Sequence, residues 1–507
     1  MRKNRRYMKM YAVLLSTGLI ISLTACGTTH SAESTTETET EISTEAETED
    51  ITVNNEHTET DSEENDSDNE GNSSFIAKDD IEINETFEDS SDGGHAIEAD
   101  GETAEYSNVA VIKTGEADGD EADFYGENSA VFATNGATLT LSDITVDTDG
   151  THANGVFSYG EGTTVNISDS YIYTKNNCSG GLMTTGGGTM NATNLTIETD
   201  GNSSAAIRSD RGGGTVNVTN GSYTTNGTGS PVIYSTADIT VSDATLTSTA
   251  SQGVVVEGQN SVSLKNVELV ADNNTKNSDK SDYYQAVMIY QSMSGDADEG
   301  TASFSMNGGY LTNKNGDIFF VNNTVATIDL VNAVISNEDS DGVFLRAAAA
   351  GWGTEGSNGG NVTLNATTQS IDGDIIVDDV STLNYYLSEN SSFTGAINSD
   401  GSAGDVYVEL SGGSVWKLTG DSYITSLTCE ADSIDLNGYK LYVDGKEYTS
   451  GSESTASVVE AKVSEGGHGG EKPSGEKPSG EKPSGEKPSG EKPSGEKPEG
   501  EPPAKPE

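Results

Sequence analysis

The sequence predicts an all-β chain wound as a right-handed, single-stranded parallel β-helix with three strands per turn, and three observations predict it. A short pattern recurs between 129 and 346, with apolar anchors at Leu139, Val165, Met190, Val216, Ile239 and Val262, 23 to 26 residues apart, resuming after an insertion at Phe304 and Ile328. A period in this range marks a solenoid. Around each anchor apolar and polar residues alternate, as in a strand with one buried face. An Asx residue or glycine then recurs at a fixed offset, where the chain must turn sharply.

The elements of one coil follow in order. A first strand precedes each anchor, at 130–133, 155–158, 181–184, 205–208, 231–234, 253–256, 286–289, 317–320 and 342–345. Its most apolar column reads as Phe132, Phe157, Met183, Ile207, Ile233, Val255, Met288, Phe319 and Phe344. The second strand holds the anchor and a second apolar position two residues on, as in Leu141, Ile167 and Val218, with Thr140, Asn166 and Asn217 between them. Two residues further lies the corner: Asp143, Asp169, Asn194, Asn220, Asp243, Asn266 and Asn332, with Gly308 in one coil. These types tolerate a left-handed backbone, and short polar side chains satisfy the freed backbone groups. The third strand starts beyond the corner, at Val146, Ile172, Ile197, Tyr223, Leu246, Leu269, Leu311 and Ile335.

These coils resemble the pectate-lyase-like superfamily of parallel β-helices. More narrowly, they are similar to the adhesin-type and autotransporter-passenger-like proteins of bacterial surfaces, and the corner column resembles the asparagine ladder of that fold. The likeness covers about half of the chain. It implies the fold; the fold hosts many activities, so chemistry has to be argued from a site.

Composition narrows the classes. In 507 residues there are 59 Gly, 21% charged residues and only 32% hydrophobic ones, which fits a solenoid that buries a narrow seam per coil. The formal charge of −57 excludes duplex nucleic acid as an expected partner, because phosphate binding needs clustered Lys and Arg. It leaves calcium or cationic ligands open, beside the plainer role of a solvated acidic surface.

Four regions follow along the chain. Residues 1–25 carry Arg2, Lys3, Arg5, Arg6 and Lys9, then a short apolar run, as in an export signal. Leu23-Thr24-Ala25 before Cys26 resembles the lipobox of bacterial lipoproteins, which implies cleavage before Cys26, a diacylglycerol on its thiol and anchorage of the protein to the cell membrane. Residues 26–92 are rich in Ser, Thr, Glu and Asp, too poor in apolar surface to order themselves, and read as a disordered tether. Residues 93–445 are expected to hold the β-helix and its capping turns. The segment 413–427, with Trp416, resembles the last turns of autotransporter passengers. Residues 446–507 read as a linker and a hydrated spacer of Gly-Glu-Lys-Pro-Ser repeats from Gly470.

Within the solenoid, 271–303 (with Tyr283-Tyr284) and 347–360 (with Trp352) leave the period. Loops of this kind on a rigid scaffold carry function or pack over its flank. Cys178 and Cys429 are many coils apart and are not expected to pair. The five His residues show no zinc spacing, and no glycine-rich phosphate loop is present. The acidic loop 116–123 lacks EF-hand spacing, so no cofactor is expected while calcium stays open.

Arg208, Asp210 and Arg211 end one first strand, and parity turns Arg208 outward into a column read as Ser158, Thr184 and Tyr234. Arg208, Asp210, Arg211 and Tyr234 are therefore the candidate ligand contacts, and no catalytic or metal-ligating residue is assigned. Neighbouring coils of that column supply no acid, so the calcium half of a lyase site is missing. The expectation is a lipid-anchored, surface-exposed adhesin-like module that binds a glycan or protein. The alternatives are a carbohydrate-active enzyme, lyase or hydrolase, and a structural spacer.

Overall fold

The computed structural model describes residues 75–449 and 458–462. The expected leader 1–25, Cys26, most of the tether 26–92 and the repeats from Gly470 lie outside the described residues. The described chain is a right-handed parallel β-helix with three strands per coil. One apolar column runs in register through its whole length: Leu139, Val165, Met190, Val216, Ile239, Val262, Phe304, Ile328, Leu364, Tyr385, Val408 and Leu427 lie side by side. All are buried. Fully burying such a side chain contributes roughly 1.5–3 kcal/mol, which explains how a chain so low in apolar residues holds a core.

First strands form an eleven-stranded parallel sheet running from Ile97–Asp100 to Ile375–Val377. Second and third strands share a twenty-stranded sheet, because in Thr164–Thr174, Gly188–Thr199 and Gly214–Thr225 the ladder continues across the corner. The corner residues Asp143, Asp169, Asn194, Asn220, Asp243, Asn266 and Asn332 have φ between 48° and 59°, and Gly308 takes the same place at 67°. Their side chains stack: Asn194 Nδ2 donates to Asp169 Oδ1 at 2.7 Å and Asn266 Nδ2 to Asp243 Oδ1 at 3.2 Å. A further ladder, of serines, closes the corner between third and first strands and escaped the sequence reading. There Ser179, Ser204 and Ser230 accept from the backbone N–H groups of Ala153, Ser179 and Ser204 at 2.9–3.0 Å.

Two expectations about the strands change. The first rung precedes residue 93: Glu85–Asp89 pairs in parallel with Val109–Lys113, and the buried Lys113 reaches Asp89 at 2.9 Å and the Ser91 carbonyl at 2.6 Å. This strand is largely exposed and turns only Phe87 toward the core, so its composition merges with the acidic stretch before it. The first-strand column read from sequence also splits. Ile207, Ile233, Phe319 and Phe344 face the core, whereas Phe132, Phe157, Met183, Val255 and Met288 belong to clusters on the opposite face. A strand apolar on both faces gives no parity signal, so a column drawn through its most apolar residues crosses from one face to the other by a one-residue slip between coils.

At the C-terminal end Trp416 stacks on Phe393 at 5.5 Å, and the antiparallel pair Tyr442 with Glu447 finishes the ladder. The segment 458–462 returns to the coil wall, where Asn384 exchanges two 3.0 Å hydrogen bonds with the Val459 backbone. The corner ladder makes a direct prediction. Asn194→Val, a β-branched residue at φ 57°, should lower unfolding stability by about 1–2 kcal/mol, while Asn194→Gly stays closer to wild type. Equal denaturation midpoints for the two variants would contradict a conformational role for this column.

Candidate functional site

The outer face of the eleven-stranded sheet carries a column of Phe132, Phe157, Met183, Arg208, Tyr234, Val255, Met288, Phe320 and Arg346 in register. An apolar sheet face must be covered. Three departures from the coil cover it. The short helix Asp120–Tyr125 buries Phe124 and is tied down by Thr185 Oγ1, which donates to the Phe124 carbonyl at 2.6 Å. The excursions 271–303 and 347–360 meet where the Gly351 N–H donates to the Lys280 carbonyl at 2.6 Å. Trp352 joins Tyr234, Val255, Met288, Tyr290 and Phe320 in one buried cluster.

Arg208 therefore points outward as parity requires, but beside Met183 and Tyr234 rather than Thr184, and it is only 6% exposed. Its Nη2 donates to Asp210 Oδ2 at 2.7 Å, and Nη1 to the Ser203 carbonyl at 3.3 Å. Arg211 binds two of the covers at once. Its Nε and Nη2 donate to Asp296 Oδ1 at 3.0 and 2.8 Å, Nη1 donates to Asp120 Oδ2 at 3.2 Å, and the guanidinium lies 3.8 Å from the Phe124 ring centre. Acids missing from neighbouring coils thus arrive from the covers, which strand-column reasoning could not see. Glu257 completes the group: Tyr234 Oη donates to its Oε2, and Tyr290 Oη reaches the same oxygen at 3.2 Å.

Burial pushes the Glu257 carboxyl up to about 7, with Asp210 and Asp296 adding to the shift and hydrogen bonds from Ser292 and Tyr234 opposing it. Burial likewise raises Asp210 to about 6 against the pull of Arg208. Tyr234 and Tyr290 are pushed well above the ordinary phenol range, first by burial and then by Glu257, so both remain hydroxyl donors.

Against this network a cavity of about 290 Å³ opens between the sheet and the 271–303 excursion. Tyr234, Tyr283, Tyr284, Tyr290 and Trp352 supply its aromatic wall, and Gln252, Asn273, Asn277 and Gln285 its amides. Tyr283 is held at the cavity by Arg346, whose guanidinium lies 4.2 Å from the ring centre while its Nε donates to Asp317 at 2.6 Å. Tyr290 meets Trp352 edge to face at 5.3 Å. The charged groups of the wall, Lys276 and Asp282, pair with each other at 3.1 Å.

Of the four candidate contacts, Tyr234 stands on the cavity wall, while Arg208, Asp210 and Arg211 form the frame that fixes the covers. Gln285 and Glu257 were not singled out from sequence. The signal for Glu257 was its parity with Val255, an acid on the face that otherwise carries apolar residues. Among the described residues no group of three or more His, Cys, Asp or Glu side chains could hold a metal ion. A comparison with protein-family models finds no match, and a comparison with curated proteins finds none either.

Two predictions follow from the buried charges. Glu257 titrates near 7 in the folded chain against an ordinary 4.5, so the fold holds the proton more tightly than the unfolded chain does. Its contribution is fully present below the unfolded value and is lost as pH rises through about 7, on the order of 3 kcal/mol. Glu257→Gln should therefore gain stability over wild type progressively between pH 5 and pH 8; parallel melting curves across that range would contradict this. Arg208→Ala strands the Asp210 carboxylate in the interior and should cost about 3–5 kcal/mol in denaturant titration. An unchanged midpoint would show that the pair is not closed from solvent.

Proposed function

We propose that the protein is a surface-displayed, ligand-binding β-helix of adhesin type, anchored to the cell membrane by a lipid on Cys26 and held off the bilayer by its acidic tether. The observation that carries this reading is the cavity on the covered flank, with its five aromatic rings and four amides and no unpaired charge on its wall. Rings and amides of this kind provide contact and orientation for a small ligand. The rigid coil supplies the fixed platform on which such a site keeps its geometry. The seam-forming repeats add reach, since each further coil extends the scaffold without altering the site.

The residue on which a lyase reading rests, Arg208, is committed to Asp210 and the Ser203 carbonyl, which favours a framing role over proton abstraction. Calcium and oligomeric state play no part in the proposal. Purified full-length mature protein, screened against glycan arrays and matrix proteins, should retain at least one ligand, with no release of unsaturated or reducing sugars from acidic polysaccharides. Absence of any ligand, or sugar release lost in Arg208→Ala, would overturn the proposal. Its anchoring half is tested separately: Cys26→Ser should move the protein from the membrane fraction to the medium, and an unchanged distribution would contradict the lipid.

A further inference from the structure

We infer that the return leg of the larger excursion, residues 291–300, is a pH-sensitive clasp that lies over Glu257 and lifts from the coil when that carboxyl ionises. The inference concerns the roof of the sheet and stands apart from the ligand-binding role proposed above.

The leg is built to open locally. It runs from the end of strand Gln285–Tyr290 to the start of strand Thr301–Asn307 and carries no strand of its own. It rests instead on the corner that follows strand Val254–Glu257. There the Gln259 N–H donates to the Asp298 carbonyl at 2.9 Å, and a Cβ placed on Gly258 would stand 2.7 Å from the Cβ of Ala297. Gln291 Nε2 donates to the Ala297 carbonyl at 3.2 Å, and Asn323 Nδ2 to the Gln291 carbonyl at 2.9 Å. On the other side the leg is held by Arg211, which donates to Asp296 at 2.8 Å. A segment held by isolated bonds rather than by a ladder opens at a lower free energy than the sheet beneath it.

Glu257 supplies the trigger. It is fully buried, Tyr234 and Tyr290 share its Oε2, and its Oε1 has no hydrogen-bond partner among the described residues. The charged and titratable groups around it come from every element packed there: Asp210 with its partner Arg208, Tyr234 and Tyr290 on the neighbouring strands, Asp296 on the leg, and Lys280 on the outward part of the excursion. The cations are committed elsewhere. Arg208 is bound to Asp210 at 2.7 Å, Arg211 to Asp296 and Asp120, and Lys280 lies 5.8 Å from the Trp352 ring centre. A protonated carboxyl suits this setting, whereas an ionised one is a buried charge without a counter-charge, facing the Asp296 carboxylate.

Lifting the leg admits water to that charge and carries Asp296 away from it. The direction with pH follows. Burial raises the Glu257 carboxyl to about 7 in the closed flank against an ordinary 4.5, so closure is at its strongest below the ordinary value and weakens as pH rises through about 7.

The test is amide hydrogen exchange of the full mature chain between pH 5 and pH 8, with protection factors corrected for the intrinsic rate at each pH. The shift from 4.5 to about 7 predicts that protection of 292–297 falls on the order of fiftyfold over this range, while strand Thr382–Ser388, several coils away, keeps its own. In Glu257→Gln the leg should show one protection factor at every pH. Should that variant fail to fold, Asp296→Asn takes its place: it removes the facing charge, and the pH-induced change should shrink about threefold. Protection of 292–297 that is independent of pH in the wild type overturns the inference, as does a pH-induced change that persists in full in Glu257→Gln or Asp296→Asn. A loss shared equally by Thr382–Ser388 would be unfolding of the whole coil, and overturns it too.

Discussion

Everything in this molecule depends on in-register stacking of like side chains from one coil to the next. Leu139 on Val165, Val165 on Met190 and Val216 on Ile239 are the same contact repeated. Apolar stacks build the seam, asparagines and aspartates stack at one corner, and serines stack at another. Because neighbours are identical in kind, a chain with a formal charge of −57 can still close a continuous core: its acids stay on the outer columns and tails while the seam excludes them. The backbone benefits from the same repetition. Corner serines accept from backbone N–H groups freed by the turn, and corner asparagines bond the side chain of the neighbouring coil, at the spacing set by the strands themselves.

The covered flank arises where that regularity is supplemented. The first-strand sheet is apolar on both faces, and its outer column has no following coil to bury it. Cover comes instead from a short helix and two excursions. Arg211 joins the helix to the larger excursion through Asp120 and Asp296, and Arg346 positions Tyr283 from the sheet. The cavity lies between sheet and cover, so its shape is set by a rigid platform on one side and by clamped loops on the other. The buried carboxyls of Asp210 and Glu257 are part of this clamp, which links the stability of the flank to pH through groups that titrate well above ordinary carboxyls.

Much of the fold was legible because period and alternation report directly on stacking. The anchors, the corner column and the third strands all lie where spacing placed them, since each has one buried and one solvated face. The first strands were not legible to the same degree. With Val131 and Phe132, or Ile207 and Arg208, both buried, alternation disappears and register slips by one residue. The site was less legible still. Tyr234, Tyr283 and Trp352 stood out by type, yet Asp296 and Arg211 are 85 positions apart, and Asp120 and Arg211 are 91 apart. Contacts made by excursions folding back over other coils follow no period, so nothing in the repeat announces them.

The excursions are docked parts of the fold that roof the stacked first strands, and hydrogen exchange of the full chain reports on both the stack and its roof. Slow exchange is expected in the first strands Ile207–Ser209, Ile233–Ser235, Val254–Glu257 and Gln285–Tyr290, with protection extending to the Gly351 amide and to the amides of 292–297 beside Arg211. Exchange of both excursions at the rates of free loops, over a sheet that remains protected only by its own ladder, would contradict it.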